Sequence, residues 1–189
     1  MSFKSLLIVC LSLWLNACST IPDNISHNPS SSPSKYWVIQ GRAALTDNQQ
    51  SWQIKWRWQQ TVDGIDFRVK DPLGQTHLHI RGKLNQQLHI KTANRQETTN
   101  DLNQWILQNY QWQLPLQQLR YWIMGIPVPD TPFQAKVNSQ QQLTQLQQTE
   151  WLIQYLAYTR TAQAHPRKIK LSHQPWTLKL FIDDWTWIP

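Results

Sequence analysis

Trp52-Gln53-Ile54-Lys55-Trp56-Arg57-Trp58-Gln59 puts an apolar side chain at every second position and a polar or cationic one between. Successive residues of an extended chain face opposite ways, so a period of two specifies a half-buried antiparallel strand with an indole-rich face. Ile65, Phe67 and Val69 alternate likewise after a turn at Asp63-Gly64. Asp71-Pro72-Leu73-Gly74 then makes a turn with a bulky apolar residue in its middle. Two short runs follow, Gln75–Arg81 and Gln87–Lys91. Pairing Leu78 with Ile90 and Ile80 with Leu88 centres a hairpin on Leu84, with Gly82–Gln86 as its loop and His79 opposite His89 on the outer face.

Between Asn100 and Gly125 the period changes. Asn100 or Asp101 caps a helix carrying Leu102, Trp105, Ile106 and Tyr110. Pro115 opens a second, with Leu116, Leu119, Trp122 and Ile123 along one stripe and Gly125 at its end. Strand alternation returns in Gln142–Gln148, Trp151–Thr159, Lys168–His173 and Trp176–Ile182. Strands, a helical pair and strands again predict an α+β fold, with helices covering one face of an antiparallel sheet.

The whole chain bounds what this domain does. It has 189 residues, and 18 Lys+Arg against 11 Asp+Glu give a net charge of +7. Five Gly and two Cys argue against a glycine-rich cofactor fold, a disulfide scaffold or a zinc ribbon, while twelve Trp exceed what ordinary core filling asks for. Lys4 followed by the apolar run Leu6–Leu15 reads as a secretory signal too short to cross a bilayer. Leu15-Asn16-Ala17-Cys18 resembles a bacterial lipobox, which implies cleavage before Cys18 and acylation of that residue. Ser19 in place of Asp implies export to the outer membrane. Residues 18–35, with Pro22, Pro29, Pro33 and Ser30-Ser31-Ser32, read as a tether, and the folded domain spans 36–189.

Catalytic devices are missing. No Gly-x-Ser-x-Gly, His-Glu-x-x-His or phosphate-cradling loop occurs, and Asp183-Asp184 are adjacent on a strand end, so they face opposite ways. An enzyme, a metal site and a bound cofactor are therefore not expected. The one metal candidate, His77-x-His79 with His89, lacks a carboxylate or thiolate to complete it. The export signal argues against nucleic acid. A positive periplasmic surface instead suits anionic lipid or an acidic protein, or serves solubility alone.

The indole face allows two readings. A tightly covered sheet makes the tryptophans core, whereas a curved, partly open sheet makes them the lining of a site for acyl chains. Strand parity and helix phase select Trp52, Ile54, Trp56, Phe67, Trp105, Ile106, Trp122 and Ile123 as that lining. Leu73, between Pro72 and Gly74, cannot easily bury itself in its own sheet, and on a tethered lipoprotein it is placed to dip into the bilayer.

Tyr36-Trp37-Val38-Ile39-Gln40-Gly41-Arg42-Ala43-Ala44, Trp58-Gln59-Gln60, Asp71-Pro72-Leu73-Gly74, the run Leu119 to Pro127 and the closing Asp184-Trp185 occur in an order and spacing that resemble the LolB family. Asp71 stands where the family more often has Asn. The resemblance covers essentially the whole domain. It implies an open half-barrel of antiparallel strands covered by helices, with a hydrophobic cavity. It also implies a monomeric acceptor on the periplasmic face of the outer membrane. Such a protein takes acylated lipoproteins from a periplasmic LolA-like carrier and inserts them among outer-membrane phospholipids, with Leu73 at the insertion loop. The rival expectation is a structural or assembly lipoprotein with a closed Trp-rich core.

Overall fold

A computed structural model describes residues 36–187, apart from 48–49, 63, 84–85 and 113–114. The expected signal, Cys18 and the tether lie outside the described residues, as do Asp63 of the first turn and Leu84 of the hairpin tip. The elements are β1 (Trp37–Thr46), β2 (Ser51–Gln60), β3 (Gly64–Lys70), β4 (Thr76–Lys83), β5 (Leu88–Thr92), β6 (Gln96–Thr99), α1 (Leu102–Tyr110), α2 (Leu116–Trp122), β7 (Phe133–Val137), β8 (Leu143–Gln148), β9 (Trp151–Tyr158), β10 (Pro166–His173) and β11 (Trp176–Trp187). All strands join one antiparallel sheet in the order β6-β5-β4-β3-β2-β1-β11-β10-β9-β8-β7. Two meanders, β1–β6 and β7–β11, thus meet where β1 pairs with β11.

This corrects the expected α+β half-barrel with helices over a hydrophobic cavity. The architecture is a single 11-stranded sheet that does not close, and the described helices are only nine and seven residues long. The strands before and after the helical pair share one sheet, so the helices are an insertion between its halves. The tryptophans and aliphatics expected to line a cavity are instead mostly side chains of one continuous core.

The period-two stretch forms β2 as its alternation requires: Trp56 and Trp58 are buried and Lys55 is exposed. β11 runs past its expected end at Ile182 because a bulge re-phases it. Gln40 pairs with Asp184 and Gly41 with Ile182, leaving Asp183 as the extra residue. Leu178, Leu180 and Ile182 are buried before the bulge, and Trp185 and Trp187 pack on the same core after it. Asp183 and Asp184 are both exposed, and Asp183 accepts a two-pronged contact from Arg42, 3.1 Å from Nε and 2.9 Å from Nη2.

The β4–β5 register is also corrected. Ile80 pairs with Ile90 and Gly82 with Leu88, so His79 faces Lys91 and Arg81 faces His89. Gly82 continues the strand rather than opening the loop, which moves the pairing by two residues and leaves every side chain on its expected face. β6 carries no apolar alternation, whereas β7 alternates Phe133, Ala135 and Val137 with polar residues but stays nearly all exposed, only Val137 packing against the core.

Candidate functional site

The turn between β3 and β4 is held firmly. Gly74 N–H donates to the Asp71 carbonyl at 3.0 Å, Asp71 N–H to the Gln75 carbonyl at 3.0 Å, and Gln75 N–H to Asp71 Oδ1 at 2.9 Å. Gly74 takes φ +94, a backbone state that a side chain would resist. Lys55 Nζ donates to the Pro72 carbonyl at 2.9 Å, bracing the turn from β2. His77 Nε2 lies 3.0 Å from Asp71 Oδ2, and this contact holds the Asp71 carboxyl below its usual pKa. The result is a rigid tip whose Leu73 side chain is 89% exposed, the most exposed large apolar side chain among the described residues.

The second set of expected residues lies elsewhere. Trp56, Phe67, Trp105, Ile106, Trp122 and Ile123 are buried, and Ile54 packs partly buried against them. Trp52 differs: it is 40% exposed, with its ring 6.1 Å from Trp176, which in turn lies 6.2 Å from Trp112 beyond α1. The sequence therefore places these residues in one core, with Trp52 at its exposed margin. Four indoles, Trp37, Trp56, Trp105 and Trp112, have buried N–H groups without a hydrogen-bond partner, and Trp56 and Trp105 belong to the expected set. A buried donor left in that state costs about 1–3 kcal/mol.

The helices are fixed by polar contacts, of which the sequence showed only the α1 cap. Asp101, rather than Asn100, caps α1 by accepting from Gln104 N–H at 3.0 Å. Gln148 on β8 is 1% exposed; its Oε1 accepts from Trp122 Nε1 and from Val128 N–H, both at 2.8 Å. Its Nε2 donates to the carbonyls of Val128 and Thr131 at 2.9 and 3.1 Å. Tyr155 on β9 donates to the Trp122 carbonyl at 2.9 Å, and burial pushes its phenol pKa up. One buried glutamine and one buried tyrosine thus dock α2 and the following loop onto β8 and β9. The only signal available was a glutamine in phase with Leu146, and Gln is too common in this chain to make that stand out.

The histidines do not converge. His77 goes to Asp71, while His79 lies 3.1 Å from Asp66 Oδ2, with Arg68 donating to the same oxygen at 3.1 Å. Burial raises the Asp66 pKa, and those two contacts outweigh it, so the carboxyl titrates below its usual range. Among the described residues no group of three His, Cys, Asp or Glu is placed to hold a metal ion. A hollow of about 300 Å³ sits where β5 meets the helix starts, lined by Leu88, Asn100–Asn103, Leu116 and Gln117. None of the residues expected to line a cavity borders it.

Comparison with known proteins fits this geometry. The family model described as "Outer membrane lipoprotein LolB" matches residues 35–185. An outer-membrane lipoprotein LolB of Cellvibrio japonicus is 29% identical over 170 residues, covering 87% of this chain and 84% of that relative. One from Stutzerimonas stutzeri is 28% identical over 196 residues, covering 96% and 95%. Both relatives are named as lipoproteins, neither as an enzyme. Among solved structures, a LolA superfamily protein from Nitrosomonas europaea superposes with a TM-score of 0.54 at 8% identity, covering 86% of this chain and 90% of that one. At that identity it speaks for the fold alone. With its family model spanning the described domain almost end to end, the chain belongs to the LolB family of outer-membrane lipoproteins of the Lol pathway.

Proposed function

We propose that this protein, anchored through acylated Cys18, accepts lipoproteins from a LolA-like periplasmic carrier and inserts them into the outer membrane as a monomer, without a cofactor. The observation that carries the reading is Leu73, a large apolar side chain 89% exposed on a turn braced at Asp71, Pro72 and Gly74. A solvated apolar tip gains free energy on entering hydrocarbon, about 25 cal/mol per Å² removed from water.

Acyl chains lodge, on this reading, among Trp52, Ile54, Trp56, Phe67, Trp105, Ile106, Trp122 and Ile123, displacing part of the short α1–α2 cover as they enter. Exposed Trp52 is the point of entry. The unpartnered N–H groups of Trp56 and Trp105 match the ester and amide carbonyls at the head of a lipoprotein's acyl chains. Handover needs no covalent chemistry, because each buried CH₂ contributes about 0.8 kcal/mol and the most apolar acceptor in the series takes the chain.

The test is Leu73→Glu in a liposome delivery assay with a purified acylated lipoprotein. Retained binding with delivery slowed at least tenfold is the expected result; delivery at the parent rate would remove Leu73 from the mechanism.

A further inference from the structure

The sheet face opposite the core carries cations in register. Across β3, β2 and β1, Lys70 pairs with Lys55 and Lys55 with Arg42. The row continues onto β11 and β10, where Arg42 faces Phe181 and Phe181 faces Lys168. One step closer to the Leu73 end, Lys179 on β11 faces Lys170 on β10. Like charges directly opposite one another work against sheet stability, so Lys55–Lys70 and Lys170–Lys179 are not there for the fold. Asp183 occupies Arg42, but Lys70, Lys170 and Lys179 have no acidic partner among the described residues. Lys168 and Arg42 lie 5.2 and 5.9 Å from the Phe181 ring, which sets an apolar plane amid the charge.

The band adjoins the Leu73 turn. Lys55 touches Pro72 through its ammonium group, and Lys70 precedes the turn directly. Leu73 stands three residues beyond Lys70, roughly 10 Å of extended chain at most. With Leu73 in hydrocarbon, the lysines lie at headgroup depth.

We propose that this band, Lys55, Lys70, Lys170 and Lys179 above all, docks on the phosphates of anionic phospholipid in the target bilayer and orients the Leu73 tip toward it. The proposal rests on the reading of Leu73 as the tip that enters the membrane, and it assigns the lipid class and the sheet face that meet there. Charge complementarity and continuity with the tip favour a lipid surface over an acidic protein.

Amine labelling of the full acylated lipoprotein tests it, in vesicles of phosphatidylcholine alone or mixed with phosphatidylglycerol. Acetylation at each lysine is read by mass spectrometry, with Lys83 at the far end of β4 as reference. Lys70, Lys170 and Lys179 are expected to label about fivefold more slowly in the anionic vesicles. The protection should vanish near 1 M salt, where charges are screened within about 3 Å. Equal labelling in the two lipids overturns the proposal, whatever Leu73→Glu does in the delivery assay. Protection by soluble polyglutamate without protection by anionic vesicles overturns it too, in favour of an acidic protein. Lipid-dependent protection alongside normal delivery by Leu73→Glu supports the band and removes only the insertion role of Leu73.

Discussion

A methyl group on Gly41 would fall 1.9 Å from the carbonyl oxygen of Phe181, inside any allowed contact. The two backbones approach this closely because Asp183 bulges out of β11 opposite the Gln40–Gly41 step. Gly41→Ala must push β1 and β11 apart at the join between the two meanders. A loss of about 3 kcal/mol or more is expected, read as a lower urea midpoint with little change in slope.

Gln148→Ala leaves the Trp122 indole N–H and the Val128 amide without their shared acceptor in a buried setting. Each orphaned group costs about 1–3 kcal/mol, so a total near 3 kcal/mol is expected by urea unfolding. The loss should be local first. Amides of α2 and of residues 126–131 should exchange with solvent faster than those of β1, β2 and β11.

Much of the sheet was legible because β2, β3, β8, β9, β10 and the first half of β11 bury one face and solvate the other, which leaves a period of two in the sequence. The helix pair was legible for the same reason, at a different period. The bulge at Asp183 was not, because an extra residue interrupts the alternation and makes Trp185 and Trp187 look out of phase. β6 was invisible, since Gln96–Thr99 is held by backbone bonds that any side chains permit, while β7 left only a five-residue alternation, Phe133, Ala135 and Val137, that is mostly solvated. The overall class went astray at one point. Alternation says that a face is apolar, but not whether the indoles behind it touch each other or enclose space. Leu73 stood out because Pro72 and Gly74 define a turn around it.

Trp56 and Trp58 lie on the same strand face yet should respond differently to loss of the indole nitrogen. Trp58 Nε1 donates to Gln60 Oε1 at 3.2 Å, while the buried Trp56 Nε1 has no partner. Trp58→Phe leaves Gln60 Oε1 without its donor, and Trp56→Phe removes an unsatisfied donor. The former should cost about 1–2 kcal/mol more than the latter in chemical denaturation. On the proposed acyl-binding role, Trp56→Phe should also weaken lipoprotein binding where it spares stability.

His165 supplies a pH dependence. Its ring lies 5.1 Å from Trp185 and 4.9 Å from Trp187, and burial pushes its pKa below the ordinary 6.5. Between the folded and unfolded pKa values the unfolded chain binds more protons, so stability rises with pH across that window. The contribution is complete above about pH 6.5 and fades as pH falls, levelling out below the folded pKa. Melting temperatures across this range should show the step, and His165→Gln should flatten it. The loss from Asp66 begins lower, as pH falls below its ordinary 3.8, and stays separable.

The pairing of β1 with β11 has a consequence for the order of events in assembly. The middle of the sheet joins the first described strand to the last, so its central seam cannot zip until the C-terminal segment has arrived. Long-range closure of this kind is slow compared with local hairpins. During synthesis and export, the β1–β6 meander waits with an open flank at β1, the strand that becomes most central. A polypeptide that locks only when β11 reaches β1 stays threadable until late, which suits a protein that must cross one membrane before it serves another.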